Sequence, residues 1–108
     1  DGISVRVPVP AGSMADVTFI AKRATTVEEV NAALKAAAQS VRWKRVFAVT
    51  EEPLVSSDIL GLPYGSIADL ALTRVVGGNL VKVMAWYDNE AGYAHTLVEH
   101  VKEAGKSV

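Results

Sequence analysis

No cysteine occurs in this chain, which removes disulfides, thiolate metal sites and thiol nucleophiles together. Neither sign of charge is in excess. Eleven basic side chains stand against twelve acidic ones, and a formal charge of −1 supplies no global field toward DNA, RNA or an anionic membrane. Apolar runs long enough to span a bilayer are missing, and the opening DGISVRVPVP lacks the basic start, apolar stretch and cleavage site of a secretory leader. These absences predict a soluble, cytoplasmic protein with no nucleic-acid and no membrane partner. What is present is 108 residues, half of them apolar, enough for a single domain, 1–108, around one core.

The chain contains no repeat, no low-complexity tract and no domain linker. Ser4 to Pro10 alternates, but Pro8 and Pro10 restrict it to an edge strand or an extended lead-in. Ala11-Gly12-Ser13 reads as a turn. From Met14 to Lys22 the alternation predicts a half-buried strand, with Ala15, Val17, Phe19 and Ala21 inward and Asp16, Thr18, Ile20 and Lys22 on the other face. Thr26 and Glu29 have the spacing of a capping box, opening a helix to about Gln39 with Val30, Ala33, Leu34 and Ala37 as its apolar stripe. Strands are expected at Arg45–Val49, Ile67–Val76 and Leu80–Tyr87, the last two joined by a hairpin at Gly77-Gly78-Asn79. Residues 53–66 read as a long connection. A final helix begins near Asn89 or Glu90 and carries Leu97, Val98 and Val101.

The predicted class is α+β: a mixed, largely antiparallel sheet with two helices packed on one face, in the order β-α-β-β-β-α behind a Pro-rich lead-in strand. Two helices cannot cover both faces of such a sheet. The face carrying Thr18, Ile20, Met84 and Trp86 is therefore expected to be open and to offer a surface for a protein partner or self-association.

Three blocks carry a resemblance to a known family. Trp86-Tyr87-Asp88-Asn89-Glu90 followed by Gly92-Tyr93, Arg6-Val7-Pro8-Val9-Pro10, and Glu52-Pro53-Leu54-Val55-Ser56-Ser57-Asp58 resemble, in order, segments of the phosphorylating glyceraldehyde-3-phosphate dehydrogenases, a glycolytic family. The resemblance runs from about Gly2 to Val101. It covers the last third of the family's chain, the C-terminal part of its catalytic domain.

The resemblance implies NAD as the family's cofactor. Asn89 matches an asparagine that hydrogen-bonds the nicotinamide carboxamide, Tyr93 a tyrosine near the nicotinamide ring, and Arg6 an arginine of a phosphate site. Each residue type suits its role, since an amide complements an amide and a guanidinium complements a phosphate. Each also has a plainer reading: Asn89 as a helix N-cap, Arg6 as a solvated charge, Tyr93 as a partly buried aromatic. The family chemistry needs a cysteine thiolate, which this chain lacks, and no G-x-G-x-x-G phosphate cradle occurs. The isolated chain is thus expected to be no enzyme and to hold no cofactor. Ala91 stands where the family carries a large aromatic, which points to an engineered, non-catalytic scaffold or interaction module. The alternative is a dehydrogenase fragment whose active site is completed by another chain.

Further candidates lie outside these blocks. Leu60, Leu62 and Tyr64 in the 60–64 loop, with Trp43, are the residue types of interface anchors, although they could equally fold back on the core. His95 and Glu99 have two-ligand spacing on a helix, but a metal centre needs more ligands, so His95 and His100 are expected to be solvated and no metal is predicted. Arg42, Lys44 and Arg45 read as a solvated strand entrance.

Overall fold

A computed structural model describes residues 1–107 as an α+β fold containing a mixed four-stranded sheet. The elements are β1 (Ser13–Ile20), α1 (Val27–Gln39), β2 (Phe47–Thr50), α2 (Ser56–Ile59), β3 (Ser66–Val76), β4 (Leu80–Tyr87) and α3 (Ala91–Ala104), closed by a 3-10 turn at Gly105–Ser107. The sheet order is β1-β4-β3-β2. β1 and β3 flank β4 antiparallel, while β2 runs parallel to β3.

Residues 1–12 form no strand, contrary to the predicted lead-in strand, and residues 1–10 are exposed. The prolines at 8 and 10 carry no N–H to offer a neighbouring strand. The connection after β2 is not structureless, because Ser56–Ile59 makes one helical turn in which the Asp58 carboxylate accepts a 2.8 Å bond from the Val55 N–H. The hairpin behaves as expected: Gly77 and Gly78 have φ of 60° and 83°, a region that side chains disfavour. Only half of the predicted capping box forms. Thr26 Oγ1 accepts from the Glu29 N–H at 3.2 Å, but the Glu29 carboxylate is taken by Thr25 and Arg23.

Directly paired residues share a face, so the register assigns Met14, Asp16, Thr18 and Ile20 to one side together with Trp86, Met84, Lys82 and Leu80. This is the side predicted to be open, and Ile20 and Thr18 are exposed there. Trp86 is anchored on it by a 3.1 Å bond from its indole N–H to buried Asp69.

The opposite side holds α1, which packs over β2 and β3. A helix is about 10 Å wide and strands lie about 4.8 Å apart, so one helix covers two strands and no more. Val17 and Phe19, predicted to point inward, are consequently 49% and 45% exposed. The buried apolar residues are Ile59, Ile67, Ala68, Leu70 and Val81, a thin core centred on β3 and β4. Among the described residues no helix is long and apolar enough to cross a membrane.

Candidate functional site

The junction of β4 and α3 is built around Asp88. Its Oδ1 accepts 2.8 Å bonds from the N–H groups of Glu90 and Ala91, and its Oδ2 accepts a 2.9 Å bond from the Gly61 N–H just after α2. These main-chain donors, Gly61 foremost, then Ala91 and Glu90, hold the carboxyl below its ordinary pKa. The free donors of the first turn of α3 are thereby satisfied. Asp88, not Asn89, is the capping side chain. A carboxylate is the stronger acceptor at the positive end of a helix, and this one also ties the turn to α2.

Relieved of that role, Asn89 is exposed. Its Oδ1 accepts a 3.2 Å bond from Ser13 Oγ, and its Nδ2 donates a 2.7 Å bond to Glu90 Oε1. Tyr93 is not partly buried but 66% exposed, one helical turn onward. Asn89 and Tyr93 therefore project from one junction beside Ser13. Arg6 sits on the exposed lead-in, which no strand pairing holds against that junction.

Three residues that support the turn escaped the sequence reading. Fully buried Ile59 packs where Gly12 turns with φ of 88°, and a Cβ on Gly12 would lie 3.3 Å from its Cδ1. Gly92 is buried at the point where α3 crosses Tyr64, so close that a Cβ would overlap the Tyr64 carbonyl oxygen. Asp88 lies inside the Trp86–Glu90 segment, beside the amide that the spacing favours as a cap. The capping preference shared by Asp and Asn was the available signal for it.

α3 is mounted on the segments preceding β2 and β3. The His95 Nε2 lies 3.2 Å from the Arg45 carbonyl oxygen, and Glu99 receives Arg45 at 3.0 Å and Lys102 at 2.6 Å. His100 is exposed as expected, whereas His95 is half-buried and partnered. Arg45 is likewise an anchor of α3 and not merely a solvated charge. Hydrogen bonds from Lys102 first and Arg45 second lower the Glu99 pKa from 4.5 to about 2, with the side chain only 11% exposed.

A pH dependence follows from that lowered pKa. A carboxylate with a depressed folded-state pKa contributes stability that is fully present above its unfolded value and is lost as pH falls through the folded one. The Tm difference between the wild type and Glu99→Gln should hold from pH 7 to 5 and shrink steadily between 4.5 and about 2. A difference unchanged at pH 2.5 would show that the ion-pair cluster does not couple to folding.

The candidate interface residues divide. Leu60 and Trp43 are exposed, with the Arg42 guanidinium 4.8 Å from the Trp43 ring centroid, whereas Leu62 and Tyr64 are half-buried. No group of three or more His, Cys, Asp or Glu could hold a metal ion among the described residues.

Comparison with known proteins places this geometry in a lineage. A model of the family "Glyceraldehyde 3-phosphate dehydrogenase, C-terminal domain" matches residues 1–89. The whole chain aligns with glyceraldehyde-3-phosphate dehydrogenase of Zymomonas mobilis at 44% identity and with that of Mycobacterium avium at 47%. These alignments cover 32% and 31% of the two relatives. The enzyme of Clostridium acetobutylicum is 48% identical over 101 residues, covering 91% of this chain and 29% of the relative. The chain thus spans less than a third of the length of these relatives.

Proposed function

The chain belongs to the glyceraldehyde 3-phosphate dehydrogenase family, within its C-terminal domain, and on that premise we propose that residues 1–108 are non-catalytic by themselves and act as an interaction module in the cytoplasm. The carrying observation is the incomplete burial of apolar side chains: Val17, Phe19, Leu97, Val98 and Val101 are all about half exposed or more on regular elements. Surfaces of this kind are made to be covered. The absence of a cysteine supports the non-catalytic half of the reading, because a serine or threonine hydroxyl without a positioned base and oxyanion hole is a poor replacement nucleophile. The methyl group of Ala91, where the family segment has a large aromatic, supports an engineered origin. The open side of the sheet with Thr18, Ile20, Met84 and Trp86, or the 60–64 loop, is a route for partner binding within this reading.

A second reading rests on the exposure of Asn89. NAD, implied by the resemblance, supplies a hydride acceptor when bound. An exposed carboxamide whose side-chain partners are Ser13 and Glu90 fits a residue that holds the cofactor's own carboxamide, with Tyr93 beside it. In this reading the chain lends these residues to an active site completed by another polypeptide.

One assay tests both. The purified chain should form no NADH from glyceraldehyde 3-phosphate, NAD and phosphate, and sustained turnover by the chain alone would overturn the non-catalytic reading. Activity that appears only on mixing with a separately produced remainder of a family member would support the second reading. Loss of that activity in Asn89→Ala, with the complex still formed, would assign the amide its role; undiminished activity would remove it.

A further inference from the structure

The Asn89 carboxamide is held by one donor and one acceptor, and together they fix which way round it lies. Ser13 Oγ donates to Asn89 Oδ1 at 3.2 Å, and Asn89 Nδ2 donates to Glu90 Oε1 at 2.7 Å. A carboxylate can only accept, so Glu90 faces the nitrogen. A flipped amide would set its oxygen against a carboxylate oxygen, acceptor against acceptor. Glu90 therefore decides the orientation, and the Ser13 hydroxyl reinforces it. Both partners project from held backbone. Ser13 opens β1 and pairs with Tyr87, the last residue of β4. The Glu90 N–H is bonded to Asp88, whose other oxygen is tied to Gly61.

A carboxamide carries two N–H donors and an oxygen with two lone pairs. Glu90 takes one of the donors and Ser13 one of the lone pairs, so one of each remains. That remaining pair complements a second carboxamide, which offers an acceptor and a donor in return. It does not complement a carboxylate, which offers acceptors only. A freely rotating asparagine could turn its NH2 group toward either ligand, whereas this one is locked, and the Glu90 charge adds repulsion against an acid.

We propose that Ser13 and Glu90 are positioning residues that lock the Asn89 carboxamide in one orientation and so make the site select NAD over its acid analogue, in which nicotinic acid replaces nicotinamide. The proposal rests on the reading in which Asn89 holds the cofactor's carboxamide. Both residues act through Asn89. The first test needs only the isolated chain. In its NMR spectrum the Glu90-bound proton of the Asn89 side chain should resonate downfield of an unbonded asparagine's and exchange slowly with water. Glu90→Gln should move it upfield, because a glutamine amide can meet either orientation, and Ser13→Ala should speed its exchange. Side-chain resonances that respond to neither substitution would overturn the proposal. The backbone spectrum checks the fold, and a variant that fails it is replaced by the other, which probes the same amide from its other side.

The second test uses the chain assembled with a separately produced remainder of a family member, with calorimetric dissociation constants for NAD and for the nicotinic acid analogue. The wild type should prefer NAD. Glu90→Gln should reduce that preference at least ~10-fold, since a hydrogen bond to a charged group and the repulsion of an acid are removed together. Ser13→Ala should weaken NAD binding about three- to tenfold, and Ser13→Thr, which keeps the hydroxyl, should restore it. A role confined to stability would move both ligands alike and leave the preference unchanged. An unchanged preference in Glu90→Gln, with NAD binding still lost in Asn89→Ala, would overturn the positioning role and leave the cofactor reading intact. Absent NAD binding, or binding indifferent to Asn89→Ala, would remove that reading and this proposal with it.

Discussion

Gly92→Ala should lower the Tm by several degrees, up to roughly 15 °C, although alanine is the better helix former by about 1 kcal/mol. Gly92 lies in the first turn of α3, where the helix crosses the backbone of Tyr64, and an added Cβ would overlap the Tyr64 carbonyl oxygen. Backbone sits on both sides of this contact, so no side chain can swing away. Overpacking of this kind costs about 1–3 kcal/mol, and relief requires α3 to lift from the Tyr64–Gly65 segment. That movement would loosen the Gly61 and Glu90 bonds of Asp88 and with them the placement of Asn89 and Tyr93. Gly105→Ala is the internal control. It has φ of −63° with nothing within 4 Å of a built Cβ, so it should be neutral or slightly stabilising. An unchanged or raised Tm in Gly92→Ala would mean that the crossing is looser than described.

Ile59→Ala should be more damaging still, at about 2–5 kcal/mol, because a fully buried isoleucine is removed from the small core. Against a domain stability of about 5–15 kcal/mol, that loss is a large fraction of the whole. Urea titration of the variant alongside Leu60→Ala separates burial from composition. Leu60 is the next residue but exposed, and its truncation should stay within about 0.5 kcal/mol. Similar losses at the two positions would deny α2 its role as the anchor between the Gly12 turn and Asp88. The buried apolar set is small, so a single deletion is felt across the whole fold.

The elements that were legible depend on near neighbours in the chain. Two adjacent glycines can take positive φ wherever they stand, so the hairpin at Gly77-Gly78 needed no partner to be read. Thr26 caps α1 through a bond to a residue three positions on, and alternation along β1 and β4 already sorted Thr18, Ile20, Met84 and Trp86 onto one side of the sheet. The blocks from Arg6 to Pro10 and Trp86 to Tyr93 carried the family with them. Each of these is a local property, set by backbone sterics, side-chain period or residue identity.

The site was legible as a place but not as an arrangement. Asn89 and Asp88 have similar capping preferences, and which one caps depended on Gly61, 27 residues away, supplying a further donor to the carboxylate. The inwardness of Val17 and Phe19 could not be read from alternation, because period two divides a strand into sides without saying which side a helix reaches. Leu60 and Ile59 are chemically alike in sequence, yet one is exposed and the other fully buried. The chain by itself determined the lineage, the α+β class, the absence of a thiol and the location of the β4–α3 junction. Only the tertiary structure decided the cap, the exposed amide and the exposure of Val17 and Phe19, since burial and hydrogen-bond pairing belong to residues brought together from distant parts of the chain.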